Sequence, residues 1–187
     1  MLFTIELPDV CHTKHAILDR WQEVCADETL AKMEGRIETN LQGQVMMSPP
    51  PAFDHGVRVW KIQQELSKRL GGLVIPECPV LTADGVRAAD IGWYPAKEDL
   101  AMLAAGVPDR PPPICVEVLS PSNTPSEMAI KRRLYFDAGA AECWQCDRDS
   151  AIEFYTAEKP DTPKSTSKRC PTFPQHLKDE PPANANP

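Results

Sequence analysis

Val86-Arg-Ala-Ala-Asp90-Ile-Gly-Trp93 and Ile114-Cys-Val-Glu117-Val-Leu-Ser-Pro121 are two largely apolar runs of strand length, each carrying one carboxylate. A charge in such a setting is costly unless it is paired or binds a metal. In the second run, period-two alternation sends Ile114, Val116 and Val118 to one face and Cys115, Glu117 and Leu119 to the other. Glu117 thus opposes the strongest apolar row. Asp90 shares its face with Ala88 and Gly92, small residues expected to leave room beside a carboxylate. If the strands pair with these faces aligned, both acids meet over one spot, where their repulsion asks for a cation. An oxygen-preferring ion, Mg²⁺ or Mn²⁺, suits two carboxylates and equips the site for phosphodiester hydrolysis.

The helix after the second run is well marked. Thr124-Pro-Ser-Glu127 reads as a capping box with proline at the first helical position, Met128 to Ala138 continue the helix, and Gly139 ends it. Lys131 and Tyr135, four residues apart, share one side. An ammonium there can orient the attacking water or stabilise the charge that develops on the phosphoryl group. A structural reading competes: the acids are strand-end partners in ion pairs, and Lys131 lies on the surface.

Working outward, residues 13 to 33 have helical spacing, with Ile17, Trp21, Val24 and Cys25 on one face. Arg36 to Met47 alternates as a strand pair about the turn Asn40-Leu-Gln-Gly43, and Ser48-Pro-Pro-Pro51 breaks the pattern. A helix from about His55 to Leu70 follows, with Val59, Ile62, Leu66 and Leu70 as its stripe and Gly71-Gly72 as its stop. Short strands are expected near 73–75, 142–147 and 151–155, with a helical piece near 98–105. From Glu158 onward seven of the twenty prolines gather and apolar periodicity fades. The chain therefore divides into an N-terminal helical segment (1–30), a body (31–157) and a proline-rich tail (158–187). Within the tail, Cys170-Pro-Thr-Phe-Pro174 suits docking on the body, and residues 178–187 are expected to be disordered.

At 187 residues, 42% hydrophobic and 25% charged, the chain suits one globular domain. No run approaches the length of a membrane span, and the start lacks the basic flank and apolar stretch of a signal peptide. The cytoplasm is the expected location, with no membrane partner. A net charge of −7 is the wrong sign for coating nucleic acid, though it allows an enzyme that meets DNA through a local patch and a metal. Candidate patches are Lys131-Arg132-Arg133 and the group Arg58, Lys61, Lys68 and Arg69, for which a solvated helix face is the plainer account. Seven scattered cysteines point to reduced thiols rather than a disulfide framework. Cys143-Trp-Gln-Cys146 has no second pair to complete a zinc site and falls in a strand, where a redox motif would open a helix. The elbow of serine hydrolases and the glycine loops of nucleotide and dinucleotide enzymes are missing from the sequence.

The chain resembles the Uma-two type of restriction endonuclease-like protein of bacteria, within the PD-(D/E)xK nuclease superfamily. The likeness is carried by Met47-Ser-Pro-Pro50 with His55 beyond it, Arg87-Ala-Ala-Asp90-Ile and Val116-Glu-Val-Leu-Ser-Pro-Ser122. It continues through Lys131, Tyr135, Gly139, Glu142-Cys-Trp144 and Asp147. It implies an α/β fold with a restriction-endonuclease-like central mixed β-sheet flanked by helices, a divalent metal, and DNA as substrate. Asp90 takes the first-acid role and Glu117 the second. The usual lysine two residues after the second acid is Leu119 here, which moves that role to Lys131 on the helix. Glu38 matches an additional acidic position, with Glu34 close by, and Ala89 replaces the proline that normally precedes the first acid.

His55, Arg132 and Tyr135 are the candidates for touching nucleic acid, with a helix-terminal or packing role equally open for His55. His12, His15 and His176 lack metal-ligand spacing, and Trp93 and Trp144 suit the core better than a base-stacking surface. The expected function is a Mg²⁺-dependent DNA endonuclease, working as a two-fold dimer if it cuts both strands. The alternative is an inactive module on the same scaffold that binds nucleic acid or a protein.

Overall fold

The structure is a computed structural model, and it describes residues 13–96 and 106–177. The helical piece expected near 98–105 and the terminal stretch 178–187 lie outside those residues. Along the chain run α1 (Lys14–Ala26), β1 (Arg36–Thr39), β2 (Val45–Ser48), α2 (Phe53–Leu70), β3 (Leu73–Thr82), β4 (Gly85–Tyr94), β5 (Ile114–Val118), α3 (Pro125–Ala138), β6 (Glu142–Cys146), β7 (Ile152–Thr156) and β8 (Lys159–Lys164). Strands β3 to β8 form one mixed sheet in sequence order, with β5 and β6 parallel and the other pairs antiparallel. The expected α/β architecture is present, and α3 is the crossover that a parallel pair requires.

Every residue of β5 and of β6 is buried. Both faces of these central strands are covered, so β5 is apolar but for Glu117, while β6 buries Glu142 and Gln145 as well. On one face Ile62 and Leu66 of α2 pack with Ile91, Ile114, Val116, Val118, Trp144 and Phe154. On the other, Tyr135 of α3 packs with Ala89, Cys115 and Cys143. The alternation expected for residues 114–118 is therefore the observed one.

The tail boundary moves. Residues 159–164 form the sixth strand of the sheet, and Cys170, Phe173 and Leu177 are buried in the α2 core cluster. The body thus extends well past residue 157. Strand β8 was illegible because Pro160 and Pro163 argue against a strand, yet prolines are tolerated at a sheet edge, where one side of the backbone is unpaired. The opposite edge repeats the point: β3 carries Pro76 and Pro79 and runs seven residues beyond the short strand expected at 73–75.

Local rules hold best at α3. The Thr124 hydroxyl accepts from the Glu127 amide at 3.2 Å, the Glu127 carboxylate accepts from the Thr124 amide at 2.9 Å, and Gly139 ends the helix at φ 113°. Helix α1 is shorter than its spacing suggests, followed by a 3₁₀ turn at Leu30–Lys32, and Cys25 is exposed while Ile17 and Val24 are buried.

The β1–β2 hairpin stands apart from the main sheet and is pinned to the β3–β4 turn. The Thr39 hydroxyl accepts from the Val86 amide at 3.0 Å, and Asp84 accepts from the Leu41 amide at 2.8 Å. Gly85 permits this approach: at φ 87° it is in the left-handed region, and a Cβ there would lie 2.3 Å from the Thr39 carbonyl oxygen. This docking carries Arg36 and Glu38 to the middle of β4.

Candidate active site

Asp90 and Glu117 stand on adjacent antiparallel strands, one step beyond the pair Ile91–Val116 where the ladder ends. There the Asp90 carboxylate replaces a backbone partner, accepting from the Val118 amide at 2.6 Å. The strands part at this point, and a cavity of about 280 Å³ opens, lined by both acids together with Arg36, His55, Arg58 and Glu77. The room does not come from the small residues on the Asp90 face. A Cβ on Gly92 would meet the Cys78 sulfur at 2.5 Å, and Ala88 is covered by Glu38 and Lys131.

Lys131 reaches across from α3. Its Nζ lies 3.1 Å from Glu117 Oε1, 3.1 Å from Glu38 Oε1 and 3.0 Å from the Ala88 carbonyl oxygen. Glu38 is anchored in turn by the Ala88 amide at 2.9 Å. Tyr135, one helical turn past Lys131, donates its hydroxyl to Glu117 Oε1 at 2.6 Å. Thus Asp90, Glu117, Lys131 and Glu38, drawn from four elements, converge. Tyr135 is fully buried beneath Glu117, so its contact is with the acid rather than with any ligand in solution.

Two members of the cluster carried no motif. Arg36 hydrogen-bonds Asp90 through Nη1, and its Nε lies 3.9 Å from Glu38 and 3.8 Å from Glu77. Its position two residues before Glu38 on the same strand face was the available signal. Glu77 sits in β3 with φ 48°, a strained setting for a non-glycine residue, and nothing local marks it. His55 Nε2 lies 3.3 Å from Asp90 Oδ2, so its first contact is the acid.

The two central acids differ in charge behaviour. Burial alone would raise Asp90, but the His55 hydrogen bond, Arg36 and the Val118 amide hold it below its ordinary value. Burial lifts Glu117 to about 7; Asp90 adds to the rise, and Lys131, Arg36 and Tyr135 only partly offset it. Burial would lower Lys131, yet Glu117 and Glu38 keep it above its ordinary value and firmly charged. Of the two acids, Glu117 is the one that takes up a proton first as pH falls.

The donor set fits a hard divalent cation. Asp90 and Glu117 both line one cavity. Among the described residues no group of three or more His, Cys, Asp or Glu side chains is placed to hold a metal. Two carboxylates with remaining positions left to water and phosphate are what Mg²⁺ accepts, since it dehydrates reluctantly. The bridging spot expected between the acids is shared instead with Arg36, which covers Asp90.

Arg132 does not belong to the site. It is buried, hydrogen-bonded to the Pro160 carbonyl, 3.4 Å from Asp161, and stacked 4.0 Å over the Tyr155 ring, so it ties α3 to β8. Cys143 and Cys146 are buried free thiols with pKa values driven upward by burial, Cys146 to about 12, which leaves them inert. His15 is exposed beside Asp19, and the Ala151–His176 bridge joins the C-terminal segment to β7. No helix among the described residues is long and apolar enough to cross a membrane.

A mixed sheet with helices on both faces is the restriction-endonuclease-like fold. The sequence profile of the Uma2 family, described as "putative restriction endonuclease", matches residues 21–178, and the chain belongs to that family. This membership supports a nuclease. A crystal structure of a "putative nuclease belonging to DUF820" from Anabaena variabilis ATCC 29413 shares the fold. It has a TM-score of 0.59 and 16% identity, covering 82% of this chain and 94% of that one. No curated protein matches the chain.

Proposed function

We propose that this protein is a metal-dependent endonuclease that hydrolyses phosphodiester bonds in DNA, with Mg²⁺ or Mn²⁺ held by Asp90 and Glu117. The observation that carries the proposal is that Asp90 and Glu117 line one open cavity, with Lys131 ion-paired to Glu117 behind it, in a member of the Uma2 family. A divalent ion at the two carboxylates supplies Lewis acidity towards the phosphodiester and its attacking water. The protein's own groups do the rest. Asp90, oriented by His55 and the Val118 amide, stays ionised and ready to ligate. Tyr135 fixes the Glu117 rotamer. Lys131, kept charged between Glu117 and Glu38, orients the water and offsets the negative charge that grows in the transition state.

A nicking assay on supercoiled plasmid with Mg²⁺ or Mn²⁺ tests the proposal. Cleavage should vanish in EDTA and in Asp90→Asn and Glu117→Gln, and activity that survives any of these rules the mechanism out. Lys131→Met should lose turnover yet bind Mn²⁺ measurably by calorimetry; undiminished turnover removes the lysine from the chemistry. Arg36 favours a second reading, a non-catalytic module, because it already occupies Asp90. That reading expects no Mn²⁺ binding at the two acids and no nicking under any condition.

A further inference from the structure

The cavity lining is chemically mixed. Glu77, Asp90 and Glu117 line it with Arg36, and so do His55, Asp54 and Arg58 of α2 and, from the loop after β5, Ser120, Ser122 and Asn123. Arg58 is the unexplained member. It is 7% exposed, and among the described residues it pairs with Asp54 at 3.0 Å, whose side chain is 66% exposed and so bathed in screening solvent. Its Nε is buried with no hydrogen-bond partner among the described residues. A buried guanidinium with an idle N–H and a solvent-weakened counter-ion is costly until a further acceptor arrives. The acceptor that a planar fork matches best is a carboxylate or a phosphate, and the carboxylates Glu77, Asp90 and Glu117 already line the same cavity.

We propose that Arg58 is a substrate-binding residue that grips a backbone phosphate of the nucleic acid strand entering this cavity. The inference rests on the nuclease reading and deepens it. It gives the cavity a phosphate-binding group besides its metal-binding acids, and it explains how a chain of net charge −7 holds a polyanion. Ser120, Ser122 and Asn123 line the same cavity and offer neutral hydroxyl and amide donors without adding charge.

The test is binding of a short duplex DNA to the full chain, followed by fluorescence anisotropy over a range of salt, with Ca²⁺ in place of Mg²⁺ to prevent turnover. Arg58→Gln should weaken binding about tenfold and lower the salt slope by about one, while Mn²⁺ affinity measured by calorimetry stays at the wild-type value. Wild-type affinity and slope in Arg58→Gln overturn the assignment and leave the nuclease reading standing. Failure of the wild-type protein to bind DNA at all overturns both. Should Arg58→Gln not fold, Asp54→Asn serves instead, because it frees Arg58 without touching the core. It should tighten DNA binding more than Glu65→Gln, which frees Arg69 on the same helix outside the cavity. Equal effects of the two substitutions would sink the assignment.

Discussion

Glu117 and Glu142 are two buried glutamates on neighbouring parallel strands, β5 and β6, and they have opposite fates. Glu142 is 1% exposed and saturated by neutral donors. It accepts from Trp144 Nε1 at 2.8 Å, Ser167 Oγ at 2.6 Å, and the amides of Lys168 and Arg169 at 2.7 and 2.9 Å. It pins the C-terminal segment to the sheet. Glu117 is almost as deeply buried, but it has one lysine, one tyrosine and an open cavity, and its carboxyl rises to about 7. Burial alone therefore does not mark a working acid. An incomplete shell of donors facing a space that a ligand can enter does.

Four substitutions or titrations break or sharpen that contrast, starting from the largest effect. Glu117→Gln should keep the fold and cut nicking by about a thousandfold or more, the scale of losing a principal electrostatic group; a loss of only a few-fold would place Glu117 outside the chemistry. Glu142→Ala should instead destabilise the protein by about 3 kcal/mol, because four donors lose their acceptor. Urea unfolding measures this, and the folded fraction should still nick DNA at the wild-type rate.

The third prediction concerns pH. Between the ordinary glutamate value of 4.5 and about 7, folded Glu117 holds a proton that the unfolded chain has released. The folded state binds more protons, so stability falls as pH rises through this window and levels off above it. His55, raised first by its Asp90 hydrogen bond, adds a loss of the same sign as it deprotonates. Melting curves of Glu117→Gln should therefore be flatter with pH than those of the wild type, and Mn²⁺ affinity of the wild type should climb until about pH 7. Parallel melting profiles for the two proteins would contradict the assignment of the raised group. The smallest effect is expected at Arg36, where Arg36→Gln removes a cation that competes for Asp90. Mn²⁺ should then bind about threefold more tightly, and weaker or unchanged binding in calorimetry would show that Arg36 does not compete.

The site's legibility follows the range of the signals. Asp90 and Glu117 stand out because a lone carboxylate in an apolar run is a local anomaly, and Lys131 because the capping box at Thr124 sets the helix register. Glu38 was only approximately placed, since its hairpin reveals its role when docked against Ala88. Glu77 and Arg58 gave no usable signal, and Arg36 only its place two residues before Glu38 on one strand face. Arg58 sits in a helix whose basic residues read as a solvated face, and Arg132, in a basic triplet, turned out to be a buried tie to β8.

The family resemblance supplied the α/β sheet, while periodicity, caps and isolated charges along the chain marked two strands with one acid each and a lysine on the following helix. These are short-range properties, expressed within a few residues of one another. Which charges meet was decided by tertiary structure: the hairpin docking at Gly85, the parting of β4 and β5 after Ile91–Val116, and the closing of both sheet edges by proline-bearing strands. Contacts such as Arg36 with Asp90 span 54 residues, and no local pattern encodes a partner that far away.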